Sequence, residues 1–131
     1  MIDRSYKYSE ETGKIIGLAM EVHRQLGNGF REVIYQRALQ IEFSRSFIDF
    51  EREFEMPVRY KGDQIGTRRV DFLIDKKISV EIKAVIKLEP VHFAQAINYL
   101  EAYNLEVGLL INFGARSLEF KRLINTKNGR A

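Results

Sequence analysis

The amino-acid sequence predicts a mixed α/β (α+β) fold in which one β-sheet is flanked by helices. Three patterns support this: helical spacing of apolar residues near the N-terminus, a period of two in the middle, and a continuous apolar run near the C-terminus. In chain order the predicted elements are α, α, β, β, β, α, β, β. Helices that cover the faces of a mixed sheet bury this set of elements.

Length and composition favour a single domain over residues 1–131. The hydrophobic fraction of 45% is enough to form a core without disulfides or a structural metal. The net charge of +3 permits a polyanionic partner without requiring one. The lack of cysteine excludes thiolate zinc sites and cysteine nucleophiles. No signal segment and no run of about 18 apolar residues occurs, so we expect a cytoplasmic protein without a membrane span.

Two helices are predicted before the first strand. The first covers residues 9–26, and its apolar side chains recur every three or four positions: Ile15, Ala19, Val22 and Leu26. The glycines of LGNGF suit the end of this helix, and a second helix is expected over about residues 30–47. On the second helix, one predicted stripe consists of Ile34, Ala38 and Ile41, and a second stripe beside it consists of Tyr35, Leu39 and Glu42.

The strands follow from residue 50. There apolar and charged residues alternate as in a strand with one solvated face, although Arg52 interrupts the apolar side. KGDQIGT is expected to be a turn-rich connection, and RRVDFLIDKKISVEIKA a hairpin around Asp75 to Lys77. LEP introduces the third helix, which has Pro90 in its first turn and ends near Asn104. EVGLLINF predicts a strand covered on both faces, and SLEFKRLI a more exposed last strand.

The hairpin carries an unusual set of charges. Pairing around Lys76 places Asp71 opposite Glu81, with Cβ atoms roughly 5 Å apart, and Lys83 further along the same face. The other face is then apolar, with Val70, Phe72, Ile74, Val80, Ile82 and Ala84. Two carboxylates side by side suit Mg²⁺ or Mn²⁺, and a neighbouring lysine can activate water. The same residues also fit an ordinary solvated face with a cross-strand ion pair.

Residues outside the hairpin could join such a site. Glu32 and Tyr35 share a helix face, although the helix dipole explains the first and core packing the second. A polar stripe on the third helix consists of His92, Gln95 and Tyr99, which also fits a helix surface. Basic residues could contact phosphates or belong to any soluble surface: Arg68 and Arg69 just before Asp71, and Lys87, Arg116, Lys121 and Arg122 scattered downstream.

Four segments in order, LGNGFREVIYQRAL, RRVDFLIDKKISVEIKAV, HFAQAINYL and VGLLINFG, closely resemble the GxxExxY family of the PD-(D/E)XK nuclease superfamily. The similarity spans about Ile15 to Phe113. It implies a restriction-endonuclease-like α-β-β-β-α-β core whose hairpin carboxylates bind a divalent metal. Asn28 and Val70 stand where relatives often have proline. The family motifs fall on Gly29, Glu32, Tyr35, Asp71, Glu81, Ile82, Lys83, Gln95 and Tyr99.

The resemblance implies a Mg²⁺- or Mn²⁺-dependent nuclease acting on DNA, or on RNA as the second choice. Asp71, Glu81 and Glu32 would hold the metal. Lys83 would activate water, and the residues that orient substrate would be Gln95, Tyr35, Tyr99, Arg68 and Arg69. The alternative is a non-catalytic module that binds nucleic acid or protein on the same fold. The small size favours a partner or self-association, which includes a homodimer.

Overall fold

The computed structural model describes residues 7–126, in which three helices and five strands follow the predicted order. The helices are α1 (Ser9–Leu26), α2 (Glu32–Arg45) and α3 (Pro90–Tyr103). The strands are β1 (Phe50–Tyr60), β2 (Asp63–Ile74), β3 (Ile78–Lys83), β4 (Val107–Asn112) and β5 (Glu119–Ile124). The predicted fold class is confirmed.

The five strands form one sheet in the order β1-β2-β3-β4-β5. Only β3 and β4 run parallel, and α3 connects them across one face of the sheet. The core that includes α1 and α2 lies on the other face. All six residues of β4 are buried, which confirms the prediction of a strand covered on both faces. No helix within residues 7–126 is long and apolar enough to cross a membrane.

The predicted apolar face is confirmed for α1, whereas on α2 the stripe of Tyr35 and Leu39 is buried instead of the one that contains Ile41. Ile15, Ala19 and Val22 are buried under the sheet, as expected. On α2 the expected stripe residue Ile41 is 51% exposed, and the buried side consists of Tyr35, Gln36, Leu39 and Phe43. On α2, both the exposed stripe and the buried one carry apolar residues at helical spacing. Edge-on contact of Phe43 with Phe72 on the sheet, at 4.9 Å between ring centroids, turns the second stripe inward.

The expectation that KGDQIGT is a turn-rich connection is wrong. Only Lys61 and Gly62 form the turn, with φ of 50° and 88°, and β2 begins at Asp63. A two-residue turn with both φ values positive matches the twist of a β-hairpin, so the chain continues directly into the strand. The result is a long β1–β2 ribbon, in which residues 63–70 of β2 pair with β1 but not with β3.

The predicted hairpin turn and its register are confirmed, with Ile74 opposite Ile78. The prediction that Val70 and Phe72 lie on the same face is wrong. Val70 packs instead with Met56 on the side of α3. The cause is an irregularity in β1, where Glu53 has a φ of 54° and the ladder skips Asp71. The alternation of side chains therefore changes at Asp71.

Candidate active site

Asp71 lies where β2 and β3 separate. The hydrogen-bonded ladder between the strands ends at the pair Phe72 and Val80, one residue before Asp71 and Glu81. Beyond that point the backbone N–H of Ile82 donates to Asp71 Oδ2 at 2.7 Å. The carboxylate therefore accepts a hydrogen bond that a ladder carbonyl would otherwise accept.

A series of side-chain hydrogen bonds from α2 and β1 fixes the other carboxylate oxygen of Asp71. Gln36 Nε2 donates to Asp71 Oδ1 at 2.9 Å, and Arg52 Nε donates to Gln36 Oε1 at 2.8 Å. Arg52 Nη1 also donates to Gln40 Oε1 at 2.7 Å. The sequence analysis did not identify Gln36. The charge of Arg52 on the apolar side of β1 was the signal that could have led to it.

Glu81 is the most deeply buried carboxylate of the site. Its side chain is 8% exposed, Oε2 lies 3.5 Å from Arg68 Nη2, and Oε1 has no hydrogen-bond partner. Burial, with the charge of Asp71 added, raises the pKa of Glu81 to about 8. Burial also raises the pKa of Asp71, against the hydrogen bonds from Ile82 and Gln36. The buried carboxyl of Glu81 therefore lies beside the half-buried carboxyl of Asp71, and the charges of Arg68 and Lys83 only partly offset the effect of burial on the pKa of Glu81.

Four further predicted residues come together in front of Glu81. Arg68, Lys83, Gln95 and Tyr99 line a cavity of about 10 Å³, which is room for one water molecule. His92 also lines it, but its Nδ1 accepts the backbone N–H of Glu89 and so caps α3. The polar stripe of α3 therefore faces the hairpin carboxylates, as a site requires.

Glu32 lies at the first position of α2 and is exposed. Partial burial raises its pKa, Lys83 lowers it and Asp71 raises it further, so all three groups interact. Within residues 7–126, no group of three or more carboxylates or histidines is arranged to hold a metal ion. The carboxylates at the centre of the site are thus Asp71 and Glu81, with Glu32 beside them.

Tyr35 and Arg69, both predicted to contact substrate, lie away from Glu81. The buried ring of Tyr35 stacks on Phe113 at 4.6 Å. Its hydroxyl donates to the carbonyl of Gly27 at 2.7 Å and accepts the N–H of Phe30 at 3.1 Å. Tyr35 therefore holds the loop that precedes Glu32. Arg69 is exposed and pairs with acidic side chains of β1, at 3.1 Å from Glu55 Oε1.

Comparison with known proteins adds a family and a fold. A family model described as the PD-(D/E)XK nuclease superfamily matches residues 9–123. The crystal structure of SSO0001 is similar, with a TM-score of 0.56 and 22% sequence identity over 70% of this chain and 48% of that chain. This chain therefore spans about half the length of that protein, and the likeness shows the fold alone. No curated protein matches the sequence.

Proposed function

Because the chain belongs to the PD-(D/E)XK nuclease superfamily, we propose that it is a divalent-metal-dependent nuclease of the GxxExxY type that hydrolyses DNA. One observation carries the proposal. Glu81 is buried beside Asp71 with one carboxylate oxygen unpartnered, and Lys83 lies on the same strand two residues away. A buried acid pair with a neighbouring amine is unfavourable for folding alone and suited to metal-assisted hydrolysis.

The residues of the site fit a Mg²⁺ or Mn²⁺ ion. Hard divalent cations bind carboxylate oxygens, and the unpartnered Glu81 Oε1 offers one next to Asp71. Glu32 would contribute directly or through water. When bound, the cation would stabilise the negative charge that develops on the phosphate during hydrolysis. The hydrogen bonds that Asp71 accepts from Ile82 and Gln36 keep its carboxylate in a single orientation for this purpose.

The remaining side chains have separate tasks in this mechanism. The ammonium of Lys83 would donate a hydrogen bond that orients the attacking water, and would stabilise negative charge that develops on the phosphate. The amide of Gln95 and the ring of Tyr99, both at the mouth of the cavity, would orient the substrate strand. The guanidinium of Arg68 would neutralise a phosphate. Arg52 acts at a distance, because it holds Gln36 and thereby Asp71.

The direct test is cleavage of single-stranded, duplex and branched DNA, and of RNA, with Mg²⁺ or Mn²⁺. We expect metal-dependent cleavage that is lost in Asp71→Ala and in Lys83→Ala. Matched controls are Glu51→Ala and Lys14→Ala, which remove exposed charges outside the site and should cleave as the parent does. Equal activity in the parent and in the Asp71 and Lys83 variants would indicate a contaminant and refute the proposal.

One observation favours a second candidate, a module that binds nucleic acid without cutting it. Arg68 already supplies a cation to Glu81, and no carboxylate trio is assembled within the described residues 7–126. Calorimetric titration with Mn²⁺ separates the candidates. The binding module predicts no heat, and nucleic-acid affinity that survives chelation of divalent metal.

A further inference from the structure

Three unpartnered polar atoms mark one region of the molecule. Within residues 7–126, the buried side-chain atoms without a hydrogen-bond partner are Arg68 Nε, Glu81 Oε1 and the hydroxyl of Tyr103. They are close together, since Arg68 pairs with Glu81 and both charges affect the pKa of Tyr103. Buried polar groups are almost always satisfied, so a cluster of exceptions points to a partner outside the chain, which is water or an ion.

The contact between Arg68 and Glu81 is incomplete. Its single N–O distance is 3.5 Å, whereas a well-made charged hydrogen bond between such groups is about 2.8 Å and often bidentate. The guanidinium is held mainly by other contacts. It lies 4.4 Å from the centroid of the Tyr99 ring, and Nη1 donates to the carbonyl of Arg69 at 3.0 Å. Arg68 is therefore the cation beside Glu81, but no short hydrogen bond joins the two groups.

The space in front of Glu81 is too small for a hydrated ion while Arg68 occupies it. The cavity that both residues line has room for one water molecule. The side chain of Arg68 is 32% exposed, so one side of it already faces solvent. A metal ion and the guanidinium of Arg68 would therefore compete for the same carboxylate.

We infer that Arg68 is the counter-cation of ionised Glu81 until a divalent metal displaces it, and that the released guanidinium then binds a phosphate of the substrate. This inference rests on the proposed function. Two positive charges repel each other, so metal entry moves Arg68 outward along the ring of Tyr99. Arg68 is thus a positioning residue for Glu81 in the empty site and a substrate-binding residue in the loaded one.

The first experiment measures Mn²⁺ affinity by calorimetry, without substrate. Arg68→Ala should bind Mn²⁺ roughly fivefold or more tightly than the parent, because a competing cation is removed. Arg68→Lys, which keeps the charge, should remain close to the parent. The adjacent Arg69→Ala is the matched control and should not change Mn²⁺ affinity, because Arg69 pairs with Glu55. If Arg68→Ala does not fold, Arg68→Gln removes the charge with a smaller loss of packing.

The second experiment measures the salt dependence of DNA binding in a Lys83→Ala background, which prevents cleavage. With Mn²⁺, replacement of Arg68 by alanine should reduce the slope of log K against log salt by about one phosphate contact. With a chelator, it should leave the slope unchanged. The same slope change in both conditions would overturn the exchange, because Arg68 would then bind phosphate whether or not metal is present.

The outcomes separate this inference from the function on which it rests. If the parent binds Mn²⁺ and Arg68→Ala binds it equally or more weakly, the exchange is refuted and the metal site stands. If neither protein binds Mn²⁺, the proposed metal-dependent function fails, and the exchange fails with it. Binding by Arg68→Ala alone would support the exchange in its strongest form, with Arg68 excluding the metal.

Discussion

The two faces of the sheet are packed in different ways. Under α1 and α2, Phe43, Phe50 and Phe72 form an aromatic cluster with ring centroids 4.9 to 5.8 Å apart. On the face covered by α3, Glu81 is buried and Arg68 half-buried, and each has one buried atom without a hydrogen-bond partner. The first face is arranged for stability and the second retains unsatisfied polar groups. Substitutions on the α1–α2 face should therefore lower stability, whereas substitutions on the α3 face should impair the chemistry of the site without a loss of stability.

The largest expected effect is on the aromatic face. Phe43→Ala removes a fully buried ring from the cluster and should lower the free energy of unfolding by about 3–5 kcal/mol, as measured by urea denaturation. Phe47→Ala, four residues later, removes a ring that is 95% exposed and should change it by less than about 0.5 kcal/mol. Similar losses in the two variants would contradict the packing described for α2.

On the α3 face, we expect the removal of a charge to raise stability rather than to lower it. The pKa of Glu81 is raised in the folded protein from its ordinary 4.5 to about 8, so folding takes up a proton in that range. The stabilisation is complete below the ordinary pKa and is lost as pH rises through about 8. In a chelator, the parent should therefore melt at progressively lower temperature as pH rises from 4.5 to 8.

Glu81→Gln is the control for this pH dependence. It keeps the shape of the side chain without the charge, and its melting temperature should depend less on pH. It should also melt above the parent at the alkaline end of the range, although the site would have lost a metal ligand. A parallel pH dependence in both proteins would show that Glu81 is not the titrating group.

A smaller effect is expected for the loop between α1 and α2. Tyr35→Phe keeps the ring stacked on Phe113 but removes the hydroxyl that bridges Gly27 and Phe30, which should cost about 1 kcal/mol. Hydrogen exchange should show faster opening at the amide of Phe30. Tyr60→Phe removes a hydroxyl from a 60% exposed residue and should change neither quantity. Unchanged exchange in Tyr35→Phe would mean that the hydroxyl does not hold the loop.

The smallest effect on stability is expected for Arg69. Its contacts with Glu53 and Glu55 are exposed, so Arg69→Ala should change the free energy of unfolding by about 0–1 kcal/mol. If Arg69 contacts substrate, DNA affinity should fall uniformly across sequences, with a salt slope smaller by about one. Anisotropy titrations at several salt concentrations measure both quantities. An unchanged slope would remove Arg69 from the substrate-binding residues.

The regions that the sequence predicted well are those governed by local spacing. The bounds of α1, the pairing of Ile74 with Ile78 and the burial of β4 follow from the periods of helix and strand and from one turn. The wrong predictions lie where local spacing allows two answers. The inward stripe of α2 was decided by contact with Phe72, and the face of Val70 by the irregularity at Glu53 in a neighbouring strand.

The candidate site divides in the same way. A strand period of two is enough to place Asp71, Glu81 and Lys83 together, and the family motif adds Glu32 and Gln95. Tertiary structure alone decides that Gln36 and Arg52 hold Asp71, and that Arg68 neutralises Glu81 beneath Tyr99. These contacts join residues distant in sequence, and their burial determines the charges, because desolvation depends on every element packed around a group.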